Sequence, residues 1–265
     1  MQLAVPLSAD PGAPLARANP LARVGAAALL MLFGFIAVDA VTAALLLAVT
    51  LVGVPMSGIS ARTLLRRAWP LLGAAVAIGI LNAVFGQPEG AVVIAIGPMA
   101  LHAGSLAAGI ALGIRILAIA LAGLLALAAV DPTDLADALI QQLHVSARFA
   151  LGALAALRLL PILAAEWQLL GLARRARGVS AGSPLGWLRL SAGRLMSLLV
   201  GAIRRATRLS QAMEARGLGA GGRRSVARPQ RMARRDWVLL LAALAAGLGA
   251  TVISAALGSY RFLFG

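Results

Sequence analysis

The chain has 265 residues, 61% of them hydrophobic and only 12% charged, with a mean hydropathy of +0.92; a soluble domain carries about 25% charged residues, so a bilayer is the expected solvent. It has no Cys, which excludes disulfides, thiolate metal sites and cysteine nucleophiles, and all 24 basic residues are Arg, which excludes a P-loop lysine and Schiff-base chemistry, so the chain is not its own ATPase. The net charge of +15 would suit nucleic acid, but the Arg residues alternate with apolar runs too long for a soluble core, and the basicity reads as topological.

In chain order, the first twenty residues are rich in Pro and Ala and lack a charged region followed by an apolar core, so insertion is expected to use the first membrane helix. Residues 24–54 carry no charge except Asp39. One straight helix of that length would span about 46 Å, too long for a single crossing, so two short helices turning near Asp39 are predicted. Arg62, Arg66 and Arg67 lie in a predicted loop at 55–68, and a third apolar helix runs from Trp69 to Phe85. Gln87-Pro88-Glu89-Gly90 reads as a turn, and Ala91 to Ile96, broken by Gly97-Pro98, as part of a short extracytoplasmic hairpin. A fourth crossing covers Ser105 to Val130, with Arg115 facing either the bundle interior or an interface. Asp131-Pro132-Thr133-Asp134 opens a new helix, with Asp131 as N-cap and Pro132 at the first helical position. Residues 131–166 read as helical and amphipathic, and Trp237 to Leu257 as a final span. The expected fold is an all-α polytopic membrane protein with about five transmembrane helices. Its expected segments are a cytoplasmic N-terminal segment (1–23), helices one to four (24–130), a cytoplasmic or interfacial helical domain (131–235), helix five (236–258) and a tail (259–265).

The stretch from Ala173 to Arg235 concentrates fifteen Arg against a single acid, Glu214. Within it Leu170-Gly-Leu-Ala-Arg-Arg-Ala-Arg177-Gly178 resembles Leu209-Ser-Gln-Ala-Met-Glu-Ala-Arg216-Gly217. Each is predicted to end a helix, with Gly178 and Gly217 entering the left-handed conformation and the small Ala176 and Ala215 allowing close approach beside Arg177 and Arg216. One Ala-Arg-Gly is an ordinary cap. Two in matched contexts present two guanidinium groups on rigid ends, suited to bidentate bonding with a partner's carboxylates. Topology and lipid headgroups explain Arg223, Arg224, Arg228, Arg231, Arg234 and Arg235, which precede the last span.

Nearly the whole chain resembles the T component of energy-coupling-factor (ECF) transporters, a group that includes the membrane subunit of cobalt and nickel importers. The resemblance runs through Asn19-Pro20-Leu21-Ala22-Arg23, Gly113-Ile114-Arg115, Asp131-Pro132-Thr133-Asp134-Leu135 and Leu157-Arg158-Leu159-Leu160-Pro161, and is sharpest at Ala176-Arg177-Gly178 and Ala212-Met213-Glu214-Ala215-Arg216-Gly217. It implies two long crossing coupling helices whose ends dock on two ATP-binding-cassette ATPase subunits, with Arg177 and Arg216 making the contact and Ala176, Gly178, Ala215 and Gly217 shaping the ends. It further implies a small membrane partner, the S component, which holds a vitamin or metal ion. It places the chain in a bacterial or archaeal cell membrane, with no catalytic residues, cofactor or metal of its own. The lead-in at Asn19 lacks the acid often found there.

The amphipathic stretch Trp187 to Arg205 either lies in the interface plane or offers Trp187, Leu188, Leu195, Leu198 and Leu199 to the S component. Glu166 has no Arg three or four residues away on its own helix, so it either pairs across to the other coupling helix or is solvated. Glu214 is expected to find a guanidinium nearby. Asp39 is expected to cap a turn at the outer surface, and His102 and His144 lie in different compartments. Two rival functions differ in kind. A stand-alone secondary transporter would need acids or His within its spans. A membrane-anchored nucleic-acid binder would need an aromatic platform interleaved with the Arg run, and the sequence offers none, so nucleic acid is not an expected partner.

Overall fold

The computed structural model describes residues 12–86, 90–96, 99–128, 130–179, 183–218, 226 and 228–259. Within them the chain forms α1 (Pro20–Ile36), α2 (Ala40–Met56), α3 (Ala61–Phe85), β1 (Val92–Ile96), β2 (Met99–His102), α4 (Ala103–Ala128), α5 (Pro132–Gln142), α6 (Ala147–Ala176), α7 (Pro184–Ala215) and α8 (Arg234–Ala256). It divides into two compact units, one of residues 5–138 with 230–265 and one built on residues 139–229.

The first unit is a helical bundle whose interior is made of small residues. Its buried side chains are mostly Ala, joined by Leu46, Leu64 and Leu121, while larger apolar residues such as Leu51, Val52, Ile80, Leu81 and Phe85 face outward. That distribution suits lipid, which solvates large apolar side chains as well as any core does, leaving close backbone approach to hold helices together. Four helices, at residues 62–85, 103–127, 147–176 and 234–256, are long and apolar enough to cross a membrane. The 17-residue α1 and α2 are apolar but shorter, about 25 Å each. This is the expected all-α polytopic architecture.

Caps account for the helix starts. Asn19 Oδ1 accepts from Leu21 N at 2.9 Å, with Pro20 preset behind it, so α1 begins four residues earlier than the apolar run at 24. Asp39 caps α2 through Thr42 N (2.7 Å) and Asp131 caps α5 through Thr133 N (2.7 Å), as the sequence predicts. Asp39 is buried rather than at a surface, because the Ser254 hydroxyl of α8 also donates to its Oδ2. The predicted loop at 55–68 is replaced from residue 61 onward by α3, which starts at the Ser60 cap. Arg62, Arg66 and Arg67 point outward on its first turns while Leu64 and Ala68 turn inward, so the three charges mark a helix face and not a loop.

β1 and β2 pair antiparallel, Ile96 opposite Met99 and Val92 opposite His102, with an irregularity between Val92 and Ile94. This is the expected hairpin; Gly97-Pro98 at its turn and Gln87-Pro88-Glu89 before it lie outside the described residues. The helices α3 and α4 then meet through glycine. A Cβ on Gly109 would lie 2.4 Å from the Gly79 carbonyl oxygen, and one on Gly79 would lie 2.9 Å from that of Gly109. Across the bundle the Phe33 ring occupies the space above Gly247. Arg115 of α4 reaches the C-terminus of α1, donating from Nε to the Gly34 carbonyl and from an Nη to that of Phe35, both at 2.5 Å. Those carbonyls are among the last of α1 and lack helical donors, so Arg115, itself half-buried, supplies donors to the end of a neighbouring helix. Asp236, fully buried, ties two helix starts together by accepting from Asn19 N (2.8 Å) and Ala233 N (2.7 Å).

Candidate functional site

The second unit is dominated by α6 and α7, of 30 and 32 residues. They run antiparallel, since contacts pair the end of α6 with the start of α7 and the start of α6 with the end of α7. Arg174 Nη1 donates to the Leu190 carbonyl at 2.7 Å, and a groove of about 280 Å³ lies between Arg148, Gly152 and Ala156 on one helix and Ala206, Ser210 and Met213 on the other. Near the middle Glu166 takes two hydrogen bonds from Arg205, at 2.7 and 2.5 Å. This is the cross-helix alternative for Glu166. Glu214 instead takes a long bond from Ser210 Oγ, 3.5 Å, on its own helix, so the guanidinium expected beside it is absent from its bonds among the described residues.

Residues 131–166 are helical, as expected, but divided between two helices, and their apolar residues do not keep to one face throughout. α5 stops at Gln142, the chain turns through His144 in a left-handed conformation (φ 53°), and α6 starts after Ser146. The apolar residues of α6 are spread round the helix, with only Ala150 and Gly171 buried. α7 does segregate its apolar residues, as predicted. Trp187, Leu188, Leu195 and Leu199 are exposed and Leu198 half-buried, which leaves most of that apolar face open.

Both helices end in the same hydrogen-bonded motif. At α6 the C-cap is Arg177 (φ −89°, ψ 9°), Gly178 follows at φ 75°, and Gly178 N and Val179 N donate to the carbonyls of Arg175 and Arg174, each at 3.0 Å. At α7 the C-cap is Arg216 (φ −88°, ψ 13°), Gly217 follows at φ 80°, and Gly217 N and Leu218 N donate to Glu214 and Met213, each at 2.9 Å. These are Schellman caps, which satisfy carbonyls that the helix cannot and need a residue without a Cβ at positive φ. Ala176, Arg177, Gly178, Ala215, Arg216 and Gly217 are all exposed. Because the helices are antiparallel, the two Arg ends project from opposite ends of the pair. From Leu190, beside Arg174, to Arg216 is 26 helical residues, so about 40 Å separates them along the axis.

A family model described as CbiQ, cobalt transport protein, matches residues 12–225. The chain belongs to the CbiQ family. It is also 30% identical over 243 residues to the energy-coupling factor transporter transmembrane protein EcfT of Exiguobacterium sibiricum, covering 88% of this chain and 92% of that protein. A CbiQ-family chain is a membrane component of a transporter and not a catalytic subunit by itself, and this one carries the apolar helices of a multi-pass membrane protein. Sequence reasoning missed the residues that fasten α6 to α7. Arg194 of α7 lies across Gly171 of α6, and Arg174 of α6 lies across Gly193 of α7, each guanidinium within 3.2–3.3 Å of where a Cβ on the facing glycine would sit. The available signal was an Arg three residues from a Gly in one helix and next to a Gly in the other, in a chain with 29 Gly.

Proposed function

We propose that this chain is the transmembrane coupling subunit of an ECF-type importer, passing the motion of two ABC ATPase subunits to an S component that carries a vitamin or metal ion. The observation that carries the reading is the pair of identical, exposed Arg-Gly helix ends at opposite poles of an antiparallel hairpin. One docking point per ATPase needs two equivalent contacts far enough apart for two subunits, and a rigid cap holds each guanidinium without freezing a loop on binding. Arg177 and Arg216 are the contacts; Ala176, Gly178, Ala215 and Gly217 keep the ends slim. The name of the Exiguobacterium relative supports the assignment to an ECF system.

In this reading α1, α2, α3, α4 and α8 are the five membrane helices, with α1 and α2 as short crossings, and residues 131–235 form the coupling domain on the cytoplasmic side. The Arg excess at 173–235 supports that side, since basic residues near spans favour the cytoplasm. α6 has the length and composition of a span, yet it carries Arg158 and Glu166 along its length and pairs with a helix of mixed polarity, which supports an interfacial place. The open apolar face at Trp187, Leu188, Leu195, Leu198 and Leu199 is the surface offered to the S component.

Co-expression with the neighbouring genes and purification in mild detergent tests the reading. The wild-type chain should retain two ABC subunits and a small apolar membrane protein, and Arg177→Ala with Arg216→Ala should lose the ATPases while keeping the membrane partner. ATPase retention and uptake at the wild-type level in the double variant would sink it.

A further inference from the structure

The α6–α7 crossing holds more positive charge than it can neutralise. Arg174 and Arg194 cross there over facing glycines, and Arg175 is one position away. Arg174 is satisfied by the Leu190 carbonyl. Arg194 lies 5.6 Å from the centre of the Trp167 ring, and its Nε is buried with no acceptor among the described residues. Glu166, one residue from Trp167, is engaged through both oxygens by Arg205. A groove of about 400 Å³ opens at this point, lined by Trp167, Gln168, Gly171, Leu172, Arg175 and Arg194, with no carboxylate among them.

We propose that this groove binds the phosphate of an anionic phospholipid, Arg175 and Arg194 pairing with its oxygens and Gln168 adding a neutral donor. Guanidinium is suited to bidentate bonding of phosphate, and two such groups beside a surface of low polarity attract an anion more strongly than either does in water. What selects a lipid over free phosphate is the apolar side of the groove. Leu172 lines it and is 54% exposed, and Leu169, one turn back, is 62% exposed, while the Trp167 indole suits the level where headgroup meets acyl chain. The bound phosphate bridges Arg175 of α6 and Arg194 of α7, so the lipid acts as a pin at the crossing. The proposal rests on the interfacial place given to α6 in the proposed function but not on ATPase docking, because lipid retention and ATPase retention are measured separately.

The test is native mass spectrometry of the full chain released from nanodiscs of phosphatidylglycerol mixed with phosphatidylcholine. Retention of phosphatidylglycerol should fall by about tenfold or more in Arg175→Gln with Arg194→Gln, the loss expected when a charge-assisted hydrogen bond is removed. Arg208→Gln, which removes an exposed charge of α7 outside the groove, should leave retention unchanged. An equal fall in both variants, or no fall in either, overturns the proposal. A second measurement needs no Arg variant: with Trp69, Trp187 and Trp237 replaced by Phe, Trp167 fluorescence should be quenched more by brominated phosphatidylglycerol than by brominated phosphatidylcholine, and equal quenching overturns it. Displacement of phosphatidylglycerol by inorganic phosphate at equal concentration would assign the site to the free anion and overturn the lipid.

Discussion

Arg115 illustrates what one side chain does at the end of a neighbouring helix. Its two bonds to the carbonyls of Gly34 and Phe35 replace the water that would otherwise solvate the end of α1. Arg115→Met keeps the bulk and removes the donors, so two carbonyls lose their partner at a cost of about 1–3 kcal/mol each if they stay dry. A drop in the thermal midpoint of the detergent-solubilised chain checks this; Arg115→Lys should recover part of it, because an ammonium reaches one carbonyl more readily than two. At this scale several caps were legible from sequence. Asp131-Pro132 and both Arg-Gly ends act within four residues of themselves, whereas Asn19-Pro20 entered only through the resemblance and the helix was expected at residue 24. Arg115 was legible only as an anomaly, since its acceptors lie 81 and 80 positions away.

At the scale of elements, helices in the bundle are joined where side chains are missing. The carbonyl of Gly79 sits where a Cβ of Gly109 would be, so Gly109→Ala must push α3 from α4, and a loss of about 1–3 kcal/mol is expected from overpacking. Gly73 and Gly249 have open space at the same position; Gly73→Ala and Gly249→Ala should leave the midpoint nearly unchanged or raise it slightly, through helix propensity. Thermal unfolding of the three variants side by side decides the point. The sequence could not single out Gly109, because in a chain this rich in Gly and Ala many pairs have the spacing and only the three-dimensional contact distinguishes them. α3 was misjudged at its start for a related reason. A span is recognised by its apolar run, and the Arg-bearing turns of α3, which Ser60 caps and Leu64 anchors, fall outside that run. The spread of apolar residues round α6 likewise hides its boundary with α5, which is set by the left-handed His144.

For the whole molecule, the composition and the apolar runs were enough to reach the fold class, and the family was reached through the resemblance carried by the doubled Ala-Arg-Gly and the motifs before it. The fastening of α6 to α7 was not. It depends on Arg174 over Gly193 and Arg194 over Gly171, pairs about 20 positions apart that no local pattern encodes, and for Glu166 the sequence offered a cross-helix partner without naming Arg205, 39 positions away. On the proposed coupling role, and if that ion pair keeps the hairpin in one register, Glu166→Arg or Arg205→Glu alone should lower uptake in cells co-expressing the neighbouring genes without loss of the ATPases expected to bind. The exchange of both residues should restore much of the uptake, since it keeps the attraction with the partners reversed. Failure of the double variant to recover more than either single one would show that the pair has no such role.

The interlocked glycines also divide the hairpin unequally. Arg177 lies six residues beyond Gly171, about 9 Å of helix, whereas Arg216 lies 23 residues beyond Gly193, about 35 Å. Any swing about that fulcrum moves the Arg216 end roughly four times as far as the Arg177 end. Two motifs that are copies in sequence therefore stand at unequal distances from the crossing, one on a short arm of the pair and one on a long arm.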